Sequence, residues 1–124
     1  MSSALERGIE GTQDFVVEGR LLTNISGNLP TSVLSTPAMI GMMENAAWRL
    51  VAPELSDGQV TVGFEVCVKH VAGAPEGSRC TARARLEEVV DERKLRFSVE
   101  VVAEDGRTIG VGTHERRIVR PPRD

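Results

Sequence analysis

The spacing of apolar residues changes near residue 33 of the chain. Residues 35–51, "STPAMIGMMENAAWRLV", carry apolar side chains at spacings of three and four, which is typical of an α-helix. A hydroxyl residue before Pro37 indicates the helix start, because the hydroxyl can cap free backbone N–H groups and proline suits the first turn. We therefore predict a helix from Ser35 or Thr36 to about Val51. Apolar residues on both sides predict that this helix is buried nearly all round.

Elsewhere apolar and polar residues alternate with a period of two, which predicts strands. The predicted strands are residues 14–22, 59–71, 79–89, 94–102 and 107–119. In the second strand one face carries Val62, Phe64, Val66, Val68 and His70, and the other carries Thr61, Gly63, Glu65, Cys67 and Lys69. Turn residues at 72–77 ("AGAPEG") and at Asp105-Gly106 predict turns that join the last four strands into a meander.

A single apolar helix and a sheet with one apolar face can bury both surfaces only if the sheet wraps the helix. This layout is that of an α+β hot-dog fold, in which a curved antiparallel sheet surrounds one long central helix. A chain of 124 residues is too short for two cores, so we expect a loose tail over residues 1–12 and one domain over 13–120. The remaining edge or face of such a sheet usually meets a second copy, which predicts a homodimer.

The composition argues against several classes of partner. A formal net charge of −3 and an aromatic content of 3% do not suit a nucleic acid, which needs a cationic surface and stacking side chains. No apolar run is long enough to cross a membrane, and the N-terminus is too polar for a signal peptide, so we expect a cytoplasmic protein without membrane contact.

Cys67 and Cys80 have no spacing that suits a metal, and we predict no metal site. Cytosolic cysteines stay reduced. If a hairpin joins their two strands, their opposite parity places them on opposite faces of the sheet, which also argues against a disulfide.

Glu44 is the first residue with candidate chemistry. It lies in the middle of the predicted helix, among Ile40, Ala47 and Trp48. Burial of a carboxylate without partners costs roughly several kcal/mol, so such a group is usually paired or functional. The helix pattern alone also allows a position at the helix edge, where Glu44 meets water or an arginine.

Two further candidates each have a structural alternative. His70 ends an apolar strand face, where a histidine either belongs to the core or its rim, or transfers protons. Thr36 can cap the helix in any protein, and a helix start also offers free N–H groups and a positive dipole end to a developing oxyanion. We expect a structural role for His114, in the motif "THERR".

Glycines mark positions of close packing in the last strands. Gly63 interrupts a valine-rich strand, where glycine indicates a bulge, a twist point or the close approach of other atoms. Gly110 and Gly112 can simply accommodate the helix. On the sequence pattern alone, Arg116 is expected at the surface or in an ion pair. Neither a glycine-rich phosphate loop nor a G-x-S-x-G nucleophile elbow is present in the sequence.

Three segments taken together resemble one known family. "STPAMIGMMENAAWRLVAPEL", "TVGFEVCVKHVAGAPEG" and "IGVGTHERRIV" are similar in order and spacing to the hot-dog acyl-CoA thioesterases, in particular the subgroup that includes fluoroacetyl-CoA thioesterase. The resemblance spans residues 33–119. It implies an enzyme that hydrolyses a small acyl-CoA to the free acid and CoA, with no cofactor other than the CoA of the substrate.

The resemblance also implies the site residues. In the family, a threonine at the helix start, a glutamate two turns into the helix and a histidine at the end of the following strand form the catalytic set. These correspond to Thr36, Glu44 and His70. A glycine near the thioester carbonyl and an arginine in the "THER" motif correspond to Gly63 and Arg116, which are the expected substrate-binding residues.

The segment ahead of the helix departs from the subgroup. The subgroup has phenylalanines there, whereas residues 23–32, "TNISGNLPTS", contain no aromatic residue, so selectivity for a fluorinated acyl group is not carried over. Three routes are open: attack by Glu44, a water activated by Glu44, or attack by Thr36. Assembly of the set within one subunit or across the dimer is also open. Alternative functions on this fold are a non-catalytic module that binds acyl-CoA or another small ligand, and a 3-hydroxyacyl thioester dehydratase.

Overall fold

A five-stranded antiparallel sheet packs against one long helix in the computed structural model, which describes residues 5–122. In chain order the elements are β1 (Glu10–Val16), β2 (Leu22–Thr23), β3 (Val33–Leu34), α1 (Thr36–Val51), β4 (Val60–His70), β5 (Arg79–Val90), β6 (Lys94–Ala103) and β7 (Thr108–Val119), with 3-10 turns at Gly19–Leu21 and Ala52–Glu54. The order of strands in the sheet is β1-β5-β6-β7-β4, and β2 and β3 form a separate short ladder. The predicted bounds of the helix and the predicted α+β architecture are confirmed.

The core lies between α1 and the inner face of the sheet. The helix contributes Met39, Met43, Ala46, Ala47 and Val51, and the sheet contributes side chains that include Leu86, Leu95, Phe97, Val99 and Val101. The prediction that the helix is buried nearly all round is wrong for a single chain. Glu44 is half-buried, Arg49 is exposed, and Trp48 keeps 39% of its surface exposed. One side of the helix therefore remains open beside β4.

The first strand begins earlier than predicted. It covers Glu10–Val16 rather than residues 14–22, and residues 10–12, expected in the tail, pair with β5 from Glu10↔Arg85 onward. Gly11 makes this possible, since a β-carbon there would lie 3.2 Å from the β-carbon of Leu50 on the helix. Few apolar residues mark this edge strand, which is why the alternation did not reveal it. Residues 1–4 lie outside the described residues.

The predicted four-strand meander is also wrong. β4 pairs with β7, from Val60↔Val119 to His70↔Gly110, and β5 pairs with β1 on its other side. The "AGAPEG" segment does not close a hairpin because β3 binds it: the N–H of Leu34 donates to the carbonyl of Ala74 at 2.8 Å, and Val33 bridges Pro75. After β4, at one edge of the sheet, the chain therefore crosses to β5, which lies next to the opposite edge strand. Only β5, β6 and β7 form a meander.

The two cysteines are far apart as a result. Cys67 is exposed on edge strand β4 and Cys80 is buried on β5, with β6 and β7 between them, and both thiols are free. The prediction that they form no disulfide is confirmed, although the hairpin on which the parity argument relied does not exist. No helix in the described part of the chain is long and apolar enough to cross a membrane.

A β-bulge changes which side chains of β4 face the helix. The register with β7 shifts between Gly63 and Glu65. Before the bulge Thr61 and Gly63 point inward, and after it Val66, Val68 and His70 do so, while Phe64 is 58% exposed. The predicted face that joined Val62 and Phe64 to His70 is therefore wrong, because the extra residue reverses the alternation. Gly63 and His70 share the helix-facing side of β4.

Two glycines in β7 should differ in their tolerance of a side chain. An alanine β-carbon at Gly112 would collide with the carbonyl oxygen of Cys67 and lie 2.6 Å from Cα of Val68, which is backbone that cannot move aside. At Gly110 the new atom would meet the flexible thioether of Met39. We expect Gly112→Ala to lower the free energy of unfolding by about 1–3 kcal/mol, with a smaller loss for the control Gly110→Ala, measured by urea denaturation. Equal losses would contradict the close approach of β4 and β7.

Candidate active site

The start of α1 holds two neighbouring hydroxyls with different partners. The hydroxyl of Ser35 accepts a hydrogen bond from the backbone N–H of Ala38 at 3.1 Å, so Ser35 is the helix cap. The hydroxyl of Thr36 lies 2.7 Å from Nδ1 of His70 at the end of β4. The capping role considered for Thr36 is therefore wrong. Because Ser35 supplies the cap, the exposed Thr36 hydroxyl is free to bond the imidazole.

The other nitrogen of His70 lacks a partner. In residues 5–122, Nε2 of His70 and Oε1 of Gln13 are the buried side-chain polar atoms without a hydrogen bond. When the Thr36 hydroxyl donates to Nδ1, the neutral ring carries its hydrogen on Nε2. That N–H then points into the protein without an acceptor from its own chain. A carboxylate supplied from elsewhere would satisfy it.

Glu44 lies beside the bulge rather than beside His70. Its Oε2 is 3.1 Å from the position that a β-carbon on Gly63 would occupy, and Nη1 of Arg116 is 3.6 Å from the same position. The structure thus has both the bulge and the close approach that a glycine in this strand indicates. Any side chain at position 63 would push against the carboxylate.

Arg116 is buried, with 7% of its surface exposed, contrary to a position at the surface. Nε donates to the hydroxyl of Thr61 at 2.8 Å and Nη2 donates to the carbonyl of Thr61 at 3.0 Å. Burial lowers the pKa of Arg116 and the charge of Glu44 opposes that shift. The guanidinium therefore supplies a fixed positive charge next to the Glu44 carboxylate.

His114 lies beside Arg116 and contacts its guanidinium. The sequence predicted only a structural role for this histidine. Its ring is 3% exposed, with Nδ1 2.8 Å from the carbonyl of Glu65 and Nε2 3.3 Å from Nη1 of Arg116. Burial lowers the pKa of His114, and the positive charge of Arg116 lowers it further, while the bond to Glu65 and the charge of Glu44 raise it. The ring is neutral at pH 7. Its place two residues before Arg116, on the same face of β7, was the available sequence signal.

The expected site residues therefore form two clusters within one chain. Thr36 and His70 form the hydroxyl–imidazole pair, and Glu44, Gly63 and Arg116 form the carboxylate cluster, to which the structure adds His114. Thr36 and Glu44 are separated by about 12 Å of helix, at about 1.5 Å per residue. Gly63 and His70 are separated by on the order of 20 Å of strand, at about 3.3 Å per residue. Helix and strand run antiparallel, so each cluster sits at one end of β4.

Arg116 of the carboxylate cluster lines a groove of about 330 Å³. The groove is lined by Trp48, Ala52, Leu55, Gln59, Val60, Thr61 and Arg116. Apolar walls with one buried cation suit a small organic ligand with a polar end. Across residues 5–122, no group of three or more His, Cys, Asp or Glu side chains is placed to hold a metal ion.

The sequence of this chain is similar to a family model and to a known enzyme. A family model described as fluoroacetyl-CoA-specific thioesterase matches residues 16–121. A fluoroacetyl-CoA thioesterase of Streptantibioticus cattleyicolor is 35% identical over 126 residues, which cover 96% of this chain and 88% of the relative.

Solved structures extend the likeness to the fold. A fluoroacetyl-CoA thioesterase variant in complex with acetyl-CoA matches with a TM-score of 0.83 and 32% identity, over 93% of this chain and 90% of that one. A thioesterase superfamily member from Thermus thermophilus matches with a TM-score of 0.84 and 29% identity, over 94% and 85% of the two chains. These likenesses confirm the predicted hot-dog fold.

The charges around His114 predict opposite shifts in two variants. Arg116→Met removes a positive neighbour and should raise the pKa of His114, whereas Glu44→Gln removes a negative one and should lower it further. An NMR pH titration of the ring measures this. Shifts of the same sign in both variants would contradict the proposed arrangement of charges around His114.

The lowered pKa of His114 also predicts how stability depends on pH. The unfolded chain binds a proton at His114 more readily than the folded chain, so the free energy of unfolding should fall as pH drops below about 6.5.

Proposed function

Because the chain belongs to the fluoroacetyl-CoA-specific thioesterase family, we propose that it hydrolyses the thioester of a small acyl-CoA to the free acid and CoA. The observation that carries this proposal is the 2.7 Å contact between the Thr36 hydroxyl and Nδ1 of His70 at the start of α1. A hydroxyl bonded to an imidazole is the arrangement that activates an oxygen nucleophile. CoA enters as part of the substrate, and the reaction invokes no further cofactor.

The chemistry proceeds in two balanced halves. Nδ1 of His70 takes the Thr36 proton while the hydroxyl oxygen bonds to the thioester carbon, and collapse of the tetrahedral adduct breaks the C–S bond. The thiolate leaves as CoA with the proton from His70, and Thr36 holds the acyl group. Water then attacks the ester with His70 again as base, which releases the acid and restores Thr36. The positive end of α1 lies beside the carbonyl oxygen as it becomes negative.

Glu44 is proposed as the carboxylate that holds His70 through Nε2. Such a contact satisfies the buried Nε2–H and stabilises the imidazolium that forms when Thr36 loses its proton. The Arg116 guanidinium supplies a positive charge near Glu44. Gly63 and Arg116 then border the substrate, as the family resemblance implies. Within one chain, however, Glu44 lies too far along the helix to reach His70.

We propose that a homodimer closes this gap. β4 is an edge strand, and Val60, Val62 and Phe64 on it are 44%, 45% and 58% exposed. A long apolar edge invites pairing with a second strand. Antiparallel pairing of β4 with β4 of the partner across a two-fold axis reverses the strand direction. The hydroxyl–imidazole pair of one subunit then faces the carboxylate cluster of the other.

The bulge determines the register of that pairing. Residues opposite each other in an antiparallel pair point to the same face, and both His70 and Gly63 point toward the helices. In the proposed register, His70 lies opposite Gly63 of the partner subunit. When the two residues of the bulge are counted as one position, the two-fold axis then passes beside Cys67. Strands are about 4.8 Å apart, so Glu44 of the partner subunit comes within reach of Nε2. The dimer would contain two such composite sites.

The activity itself is tested with a panel of acyl-CoA substrates. We expect CoA release, measured with a thiol dye, from small acyl-CoAs, with acetyl-CoA and fluoroacetyl-CoA in the panel because residues 23–32 have no aromatic residue. Glu44→Gln removes the charge but keeps the shape, and should lower kcat by about 100-fold or more with an unchanged melting temperature. Binding of acyl-CoA without release of CoA would instead favour a non-catalytic module.

Mixed dimers test the composite site. In a heterodimer of Thr36→Ala and Glu44→Gln subunits, one site carries both substitutions and the other carries neither, so about half of the wild-type activity should return from two inactive parents. The matched control pairs Thr36→Ala with His70→Ala, where each site keeps one substitution and activity stays lost. Restoration in neither heterodimer would place the set within one subunit. Copper-catalysed crosslinking through Cys67 checks the register independently, with Cys67→Ser as its control.

A further inference from the structure

His114 is a buried histidine that the proposed reaction does not use. It lies on β7, in contact with β4 through the carbonyl of Glu65 and with β6 through Phe97, whose ring centre is 6.0 Å away at an interplanar angle of 26°. Its remaining polar contact is Nη1 of Arg116, 3.3 Å from Nε2. Polar contacts at both ring nitrogens and stacking on Phe97 therefore fix the orientation of the ring.

The two polar contacts determine the tautomer. A backbone carbonyl only accepts hydrogen bonds, so Nδ1 must carry the hydrogen that Glu65 receives. An arginine only donates, so Nε2 must present a lone pair to Arg116. The ring is thus neutral, with its hydrogen on Nδ1. The opposite tautomer would lose both bonds at once.

This lone pair orients one end of the guanidinium. Thr61 holds Nε and Nη2, which leaves Nη1 without an acceptor from that side. His114 takes one of the two hydrogens on Nη1. The second hydrogen is then directed into the space over Gly63, where Oε2 of Glu44 lies.

We propose that His114 is a positioning residue of the thioesterase site, whose neutral ring fixes the Arg116 guanidinium so that it faces Glu44. The inference rests on the proposed function, in which Glu44 contributes to turnover by supporting His70. The groups that face His114 are Arg116 on its own strand, Glu44 from α1, the carbonyl of Glu65 from β4 and the ring of Phe97 from β6. Protonation of His114 would turn its acceptor into a donor against Arg116 and release the guanidinium.

Two amide substitutions separate the two contacts. His114→Gln places an amide oxygen near the position of Nε2 and keeps the acceptor for Arg116. His114→Asn places an amide nitrogen near the position of Nδ1 and keeps the bond to Glu65 but leaves Arg116 without its acceptor. We expect His114→Asn to lower kcat by about 10- to 100-fold, and His114→Gln to stay within a few-fold of wild type. Melting temperatures measured alongside identify any loss that comes from the fold.

Coupling to Arg116 distinguishes positioning from a structural role. In an Arg116→Met background, His114→Asn should cost little further activity, because the group through which it acts is already gone. A full additional loss, or equal losses from the Asn and Gln variants, would overturn the proposal. Long-range NMR correlations of the wild-type imidazole nitrogens give a readout independent of turnover. A hydrogen on Nε2 at neutral pH would overturn the inference even if CoA release is normal. Absent CoA release with the hydrogen on Nδ1 would overturn the proposed function and leave only the contact between His114 and Arg116.

Discussion

The β-bulge between Gly63 and Glu65 is the constraint on which the candidate site depends. Without it, strict alternation would turn Gly63 away from the helix whenever His70 faces it. The extra residue brings both to the same side and leaves space for the Glu44 carboxylate over a residue with no side chain. It also sends Phe64 outward, where the guanidinium of Arg117 covers its ring at 3.6 Å. One inserted residue thus sets the polarity of both faces of β4.

The helix and the fold class could be predicted because their signals are local. Ser35, Thr36 and Pro37 mark the helix start, and the "STP" segment with the later motifs resembles one family, which implies a set of candidate site residues. The pairing of β4 could not be predicted in the same way. Strand order depends on contacts between distant segments, here the bond from Leu34 to Ala74 that holds the chain away from a hairpin. The bulge was also hard to predict, because the only sign of it in the sequence is a glycine. A glycine within a strand can equally indicate a bend or the close approach of other atoms.

The carboxylate cluster shows how a buried charge is made tolerable. Arg116 is buried with every polar contact supplied by groups that accept hydrogen bonds: a hydroxyl, a backbone carbonyl and an imidazole lone pair. Glu44 then faces a cation whose position is fixed before any substrate arrives. The positive charge near the carboxylate of this apolar helix comes from Arg116 on β7, which is distant from Glu44 in sequence. Charge compensation here is a property of the sheet and not of the helix.

The neighbouring hydroxyls of Ser35 and Thr36 separate folding from reactivity at the start of α1. The Ser35 hydroxyl accepts a hydrogen bond from a free N–H group of the first turn, so the Thr36 hydroxyl is not needed as a cap and contacts His70 instead. Position 36 is consequently open to chemical variation, because serine or cysteine there would place another hydroxyl or a thiol near His70 without removing the cap. A chain built in this way can change the reactivity of its hydroxyl while the helix that carries it remains the same.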